Sequence, residues 1–185
     1  MNALVSMFID LPDGNSVEAV TFGCTHIVGI TAVNAPSFYR ATVRSTGLAY
    51  RIPINILRTE ENNCPIYMHR TTTAMHQLLV QMAQTIACSK LHTTEQQLIR
   101  WILTAMDHNL TSVIKITQQE LSELLGFRRE VISLTMIKLK NRGELKIKRG
   151  SIEVLNRVAL EDASCDCYRV ISQQEIEIKS FSKTL

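Results

Sequence analysis

The sequence lacks the features that mark membrane and secreted proteins. No run of about 18 apolar residues occurs in its 185 positions, so no segment has the length and apolarity of a membrane-spanning helix. The first residues, MNALVSMFIDLPDG, lack the basic start and the cleavage site of a secretory signal. These absences predict a cytoplasmic protein, in which thiol groups stay reduced.

The sequence also lacks an ordered cysteine pattern. The cysteines are odd in number and scattered along the chain, at Cys24, Cys64, Cys88, Cys165 and Cys167. Only Cys165 and Cys167 are close together, and such a pair supplies two ligands, whereas a structural zinc ion takes four. We therefore expect free, structurally incidental cysteines, no metal and no cofactor.

Patterns typical of enzymes are missing as well. Gly23, Gly29 and Gly47 are too far apart to form a phosphate-binding loop. No Ser-His-Asp, Cys-His or paired-carboxylate arrangement stands out, so we do not expect an enzyme. The apolar share of 45% is nevertheless that of a globular protein, and the length leaves room for two small domains.

The segment from Thr117 to Gly150 carries the strongest structural signal. Thr117 and Glu120 have the spacing of a capping box, which starts a helix. That helix has one apolar face, made of Leu121, Leu124 and Leu125. Gly126 ends it, and a second amphipathic run follows at once, which predicts a helix-turn-helix.

The second helix is expected to have two distinct faces. Its apolar face consists of Val131, Ile132, Met136 and Leu139, whereas the residues that point elsewhere are Arg128, Arg129, Glu130, Leu134 and Lys138. Beyond this helix, apolar and polar residues alternate over Leu145–Arg149 and Ile152–Leu155, on either side of Gly150-Ser151, which predicts a β-hairpin. Together these elements predict a winged helix-turn-helix and DNA binding.

The charge distribution supports DNA binding over a plain helical subdomain with a solvated basic face. Residues 110–157 contain ten Lys or Arg and five Glu, about +5, although the whole chain carries only +3. A positive excess confined to the helix-turn-helix and its hairpin suits a surface that neutralises phosphates and releases their counterions.

The first 58 residues or so are predicted to form β structure. Short apolar runs separated by Gly and Pro occur at Val17–Phe22, Ile27–Val33, Ala41–Val43 and Leu48–Ile52. Turn residues at this spacing favour a barrel, sandwich or roll. So few strands make a thin core, which would have to lean on the following helix or on a partner chain.

After a connector between Pro53 and Pro65, the stretch Ile66–Leu91 lacks Gly and Pro and predicts one long helix. Its apolar residues step at heptad-like spacing, at Met68, Met75, Leu79, Met82 and Ile86. The stripe either packs inside its own chain or pairs with a second copy in a parallel homodimer. We favour the homodimer because such a helix is longer than so small a β unit.

The remaining elements complete the predicted order. Thr94 and Gln97 have capping-box spacing and start a linking helix anchored by Trp101. Ile114–Ile116 is a brief β signal, Val158–Tyr168 a last short helix, and Ser172–Leu185 is polar enough to fray. We expect an α+β fold with domains at residues 1–63 (partial β-roll), 64–92 (dimerisation helix) and 93–185 (winged helix-turn-helix).

This order of elements resembles the Crp/Fnr family of bacterial transcription regulators. The resemblance lies in Leu91–Arg169, where LHTTEQQLIRWIL, ITQQELSELLGFRREVIS, the hairpin residues and the CDCY run look like that family. It implies a homodimer paired along the long helix, with each recognition helix in a major groove of a palindromic site and RNA polymerase as a further partner. It also implies a β-roll similar to cyclic-nucleotide-binding domains.

The resemblance also implies roles for individual residues. Base reading falls to Arg129 and Glu130, with Leu134 at the position of a second base-reading Arg, where it can touch a thymine methyl group. Contacts to the DNA backbone are implied for Thr117, Gln119 and Arg128. Apart from the resemblance, we predict that the basic wing residues Lys148 and Arg149 also contact the DNA backbone.

The predicted sensor region departs from the family. The stretches that correspond to the family's ligand loop read Gly23-Cys24-Thr25-His26 and Phe38-Tyr39-Arg40-Ala41, without the ribose-binding Glu and the Arg-Ser pair. The cysteine cluster of the iron–sulfur members is missing, and His26 or His69 is more easily structural than a haem ligand. We therefore expect an effector that is unknown or lost. The alternative is a truncated paralogue that heterodimerises with a full-length relative and modulates it.

Overall fold

The computed structural model describes residues 3–32, 35–60 and 64–181, which form an α+β fold. The strands are β1 Leu4–Asp10, β2 Ser16–Phe22, β3 Arg40–Ser45, β4 Val113–Ile114, β5 Leu145–Lys148 and β6 Ser151–Val154. The helices are α1 Ile54–Glu60, α2 Pro65–Leu91, α3 Thr94–Asn109, α4 Gln118–Leu125, α5 Arg129–Asn141, α6 Arg157–Ala163 and α7 Asp166–Phe181. No helix within these ranges is both long and apolar enough to cross a membrane.

The N-terminal sheet is covered on both faces. Its strands are antiparallel in the order β2-β1-β3, and consecutive strand residues point to opposite faces. Met7 lies in a buried cluster with Val20, Phe22 and Leu78 of α2. Phe8, its neighbour, lies in the main core with residues of α3, α4 and α5. The sheet therefore leans on the following helix, as expected, and also on the helix-turn-helix.

Some predicted strands of this region are wrong. Val17–Phe22 is confirmed and Ala41–Val43 lies inside β3, but Ile27–Val33 contains only a 3₁₀ turn at Ile30–Ala32, and Val33 lies outside the described residues. Leu48–Ile52 forms no strand, and Leu48 is 77% exposed, because an apolar run becomes a strand only where a neighbouring strand pairs with it. The real third strand is β1, which precedes every predicted run.

The connector and the long helix follow the prediction in outline. The connector contains a short helix, α1, and its residues 61–63 lie outside the described ranges. Pro65 occupies the first turn of α2, where its missing N–H has no intrahelical partner in any case. At 27 residues, α2 is about 40 Å long. Its inner face buries Ala74, Gln77, Leu78, Gln81 and Cys88 against the same chain.

The linking helix α3 starts one residue earlier than predicted. Thr93 is its N-cap, and Thr93 and Gln96 form the capping box. The predicted box of Thr94 and Gln97 does not form because the Gln97 amide donates instead to the backbone oxygen of His92 at 2.9 Å. Trp101, the predicted anchor, is buried in the main core.

The C-terminal segment is more helical than predicted. In place of one short helix at Val158–Tyr168, α6 ends at Ala163 and α7 begins at Asp166. The prediction that Ser172 onward frays is wrong as far as Phe181, and residues 182–185 lie outside the described ranges. Ile171 and Glu175 are buried, and Glu175 Oε1 lies 2.5 Å from His108 Nε2 of α3. Tertiary contacts thus stabilise a helix whose polar composition alone predicts fraying.

Candidate nucleic-acid interface

The first helix of the helix-turn-helix, α4, begins and ends as its sequence predicts. The Thr117 hydroxyl accepts from the backbone N–H of Glu120 at 3.1 Å, and the Glu120 carboxylate accepts from the backbone N–H of Thr117 at 2.8 Å. This reciprocal pair is the predicted capping box. Gly126 ends α4 at a φ of 70°, a left-handed conformation that favours glycine.

The second helix, α5, is buried along one face and exposed along the opposite face. Ile132, Met136 and Leu139 are almost fully buried, as predicted. Val131, however, is 39% exposed, so its assignment to the apolar face is wrong. The buried stripe takes Thr135 instead, whose hydroxyl donates to the backbone oxygen of Val131 at 2.8 Å. Helical spacing places Val131 one position outside the stripe that starts at Ile132.

The exposed face of α5 and the turn before it carry the predicted DNA-reading residues, Arg128, Arg129, Glu130, Leu134 and Lys138. Leu134 is 62% exposed. Within the described part of the chain, no carboxylate lies within ion-pair distance of Arg128 or Arg129. These guanidinium groups are therefore available to an anionic partner.

The predicted hairpin is the wing. β5 and β6 pair antiparallel, with Lys148 opposite Ser151, and Gly150 makes the turn at a φ of 74°. β4 adds a third strand along the other edge of β6. Lys148 Nζ lies 2.8 Å from a Glu153 carboxylate oxygen, and this hydrogen bond holds the pKa of Glu153 below its usual value. Lys148 is thus partly neutralised within the wing, whereas Arg149 at its tip is exposed and has no recorded carboxylate neighbour among the described residues.

One cleft brings most of the predicted contact residues together. It has a volume of about 410 Å³ and opens between the start of α4, the start of α5 and the wing tip. Its lining includes Thr117, Gln119, Arg129, Lys148 and Arg149. Arg128, Glu130 and Leu134 do not line it and lie on the adjoining exposed surface. Two helix N-termini, whose backbone N–H groups favour anions, therefore face the same space as three cationic side chains.

The predicted dimer stripe lies mostly on the outer face of α2. Met68, Met75, Leu79 and Ile86 are between 40% and 63% exposed. Met82 is half-buried against the cluster of Met7, Val20, Phe22 and Leu78, so it also belongs to the chain's own core. The helix therefore presents an apolar face that its own chain leaves uncovered.

The stretches that correspond to a nucleotide pocket make other contacts. Arg40 forms two hydrogen bonds to the Asp10 carboxylate, at 2.7 and 2.9 Å, and its guanidinium lies over the Phe8 ring. The Tyr39 hydroxyl accepts from the backbone N–H of Gly29. The one Arg in these stretches is thus already paired with a carboxylate.

Sequence reasoning missed a buried cluster away from the interface. The cysteines are free, as expected, but Cys88, Cys165 and Cys167 are not structurally incidental, because they share a small buried core. His92 joins them, and one ligand atom from each residue lies within 4.8 Å of all the others. The cysteine positions alone do not reveal this cluster, because its fourth member is a histidine. The sequence signal for it is the spacing of Cys88 and His92, which are four residues apart at a helix end and therefore lie on the same face.

The elements at this surface define a winged helix-turn-helix protein, and comparisons with known proteins agree. Residues 96–163 match the Crp-like helix-turn-helix domain family. Solved structures with the same fold include two transcriptional regulators from Thermus thermophilus, one of the CRP family and one of the CRP/FNR family. The first has a TM-score of 0.73 at 16% identity, and the second 0.70 at 18% identity. Both alignments cover 87% of this chain and 83% of the other.

A protein from Eubacterium rectale assigned to the Crp/Fnr family is similar at a TM-score of 0.68 and 17% identity, over 87% of this chain and 76% of its own. No curated protein sequence matches the chain. Residues 96–163 therefore form a Crp-like helix-turn-helix domain, and most of the chain shares the fold of these Crp/Fnr-type regulators.

Proposed function

We propose that the protein is a sequence-specific DNA-binding transcriptional regulator that acts in the cytoplasm as a homodimer on a palindromic operator. The observation that supports this most directly is the cleft shared by Arg129, Arg149 and the N-terminus of α4. A duplex seated there would place a phosphate strand along the cleft and the exposed face of α5 in the major groove.

Base reading is assigned to the first turns of α5. Arg129 can donate to O6 and N7 of guanine, and Glu130 can accept from N4 of cytosine. Leu134 lies one turn beyond Glu130 on the same helix face, where its exposed side chain can contact a thymine methyl group. Burial against a base edge would also remove this leucine from water.

Phosphate contacts are assigned to the residues around the cleft, namely Thr117, Gln119, Arg128, Lys148 and Arg149. Thr117 and Gln119 stand at the start of α4, and Arg128 is the N-cap of α5, so backbone N–H groups reinforce each contact. The Gln119 amide donates to Glu123 at 2.9 Å and would have to turn away to reach a phosphate. Lys148 would likewise have to leave Glu153, so Arg149 is the stronger wing contact.

The homodimer is proposed from the outer face of α2. Met68, Met75, Leu79 and Ile86 follow heptad-like spacing and are exposed in the single chain. Pairing two such helices in parallel would cover this face and set the two recognition helices on one side of the dimer. The half-site centres would then lie roughly 34 Å apart, one turn of the duplex. RNA polymerase is the partner that a promoter-bound regulator of this kind would contact.

We propose that the protein has lost a cyclic-nucleotide effector or responds to an effector of another, unknown kind. Arg40 is engaged by Asp10, and no carboxylate stands among Cys24, Thr25 and His26. The second candidate function is heterodimerisation with a full-length relative. The same exposed face of α2 favours it, since a longer partner could cover that face equally well.

Selection of binding sites from random DNA with the purified protein tests the proposal. A palindrome with half-sites one helical turn apart is the expected result. Recovery of no motif by the protein alone, together with a motif once a full-length relative is added, would favour heterodimerisation. Recovery of no motif in either case would contradict DNA regulation altogether.

A further inference from the structure

The buried cluster of Cys88, His92, Cys165 and Cys167 has the composition of a metal site. Cys88 lies in the last turn of α2 and His92 caps that helix, whereas Cys165 and Cys167 lie at the start of α7. The three cysteines are at most 5% exposed, and His92 is half-buried. Three thiolates and one imidazole form a complete ligand set for tetrahedral zinc.

The distances fit a single tetrahedral ion. With Zn–S near 2.3 Å and Zn–N near 2.1 Å, neighbouring ligand atoms lie about 3.8 Å apart for two sulfurs and about 3.6 Å apart for sulfur and nitrogen. Cys88 Sγ lies 3.7 Å from Cys165 Sγ, and Cys167 Sγ lies 3.5 Å from His92 Nδ1. These are two opposite edges of one tetrahedron. The other ligand atoms are no more than 4.8 Å apart, which leaves space for one ion and not for a multi-iron cluster.

The surroundings supply a matching charge. Arg100 of α3 is only 7% exposed and interacts electrostatically with Cys88 and Cys167. Among the described residues, no carboxylate lies within ion-pair distance of its guanidinium, although buried charges are normally paired. A divalent ion with three thiolates and a neutral imidazole carries one net negative charge, which Arg100 would balance.

Two hydrogen bonds fix the backbone of His92. The backbone oxygen of His92 accepts from the Gln97 side chain at 2.9 Å, and its backbone N–H donates to the backbone oxygen of Cys88 at 3.1 Å. These bonds fix the backbone of His92 at the joint between α2 and α3, and its Nδ1 lies 3.5 Å from Cys167 Sγ.

We propose that Cys88, His92, Cys165 and Cys167 bind one zinc ion, which ties the junction of α2 and α3 to the start of α7. The ion would hold the long helix in a fixed relation to the helix-turn-helix. Removing it would loosen α7 and the end of α2 without touching the cleft that faces DNA. This inference does not depend on the proposed operator or on dimerisation.

Metal analysis of the full chain, purified under reducing conditions, tests the proposal. The expected result is one zinc per chain, and after chelation one Co(II) per chain with the intense visible absorption of a tetrahedral thiolate site. Cys165→Ser should lower the zinc content to near zero. Cys24→Ser and Cys64→Ser, which alter the two cysteines outside the cluster, should leave it unchanged.

A second variant guards against misfolding. Cys165→His keeps four ligands and should retain zinc, with a weaker cobalt–thiolate band because one sulfur is lost. The proposal would be overturned by wild-type protein that takes up neither zinc nor cobalt, or by iron and sulfide in place of zinc. Equal loss of zinc from Cys24→Ser and Cys165→Ser would also overturn it.

Discussion

The indole N–H of Trp101 donates to the carboxylate of Glu18 at 2.6 Å, and both side chains are buried. This bond joins β2 of the N-terminal sheet to α3 of the DNA-binding part across 83 positions of sequence. Burial raises the pKa of Glu18, although the hydrogen bonds that the carboxylate accepts oppose the shift. The link between the two parts of the molecule therefore contains a carboxyl group that resists ionisation.

Glu18→Gln should stabilise the protein at pH 7, on the order of 1 kcal/mol, the usual scale of one substitution. Because the folded pKa of Glu18 lies above the unfolded value, its contribution to stability is full at low pH and declines as pH rises through the folded pKa. Urea unfolding should show the variant and wild type converging towards pH 4. In the control Glu153→Gln, the variant should instead become less stable than wild type as pH rises, because the pKa of Glu153 is lowered and its carboxylate stabilises the fold at neutral pH. A constant difference between Glu18→Gln and wild type at every pH would contradict this reasoning.

Arg129→Ala should cost about 1–3 kcal/mol of binding free energy on the preferred site and relax the choice of base at one position per half-site. Titrations with cognate and scrambled duplexes measure both effects. Lys140→Ala, which removes an exposed cation near the far end of the same helix, is the control and should change specificity little. If Arg129→Ala keeps the wild-type ratio of cognate to scrambled binding, this residue does not read a base.

Arg149→Ala should weaken binding to all sequences alike and reduce the slope of log K against log salt by about one. Lys148→Ala should have a smaller effect, because the Lys148 ammonium is already paired with Glu153. Binding measured at several salt concentrations shows which of the two variants loses more affinity. A larger loss with Lys148→Ala, or a change in base preference with either variant, would be inconsistent with these wing contacts.

Leu79→Glu should turn the dimer into monomers, because it places like charges across the α2 seam. Sedimentation at micromolar concentration measures the change. His69→Glu is the matched control: it adds the same charge to an exposed position on the same helix, about 100° round the axis from Met68. Wild-type protein that already sediments as a monomer would exclude a stable homodimer.

DNA binding should not respond to cyclic AMP or cyclic GMP. A cyclic phosphate needs a buried Arg, and Arg40 is half exposed and held by Asp10. Each missing charge-assisted hydrogen bond costs about 1.5–3 kcal/mol, so two of them move a micromolar site to about millimolar. Titration calorimetry and gel shifts with each nucleotide test this. Micromolar binding that alters the shift would show that the pocket has been misjudged.

Features determined by neighbouring residues could be predicted from the sequence. The capping box at Thr117, the left-handed Gly126 and the wing turn at Gly150 each depend on a few consecutive residues, and all three are present. The family resemblance identified the fold of the C-terminal half for the same reason, since that half is built from such local signals.

Features set by distant contacts could not be predicted. The Gln97 amide bonds to His92, which moves the capping box of α3 by one residue. Contacts at Ile171 and Glu175 keep α7 helical although its composition is polar. Cys88 and Cys165, 77 positions apart, meet only once α7 packs on α2. None of these contacts leaves a pattern within one stretch of the chain.

The two covered faces of the N-terminal sheet have a mechanical consequence. Met7 is held by the long helix and Phe8, the next residue, by the core of the helix-turn-helix. Any swing of the recognition helix relative to α2 would therefore have to shear strand β1 between them, and not merely bend the backbone at His92. A signal that moves the helix-turn-helix relative to α2 must therefore supply the free energy to break the packing on one face of β1. The N-terminal sheet thus couples the position of the long helix to that of the recognition helix.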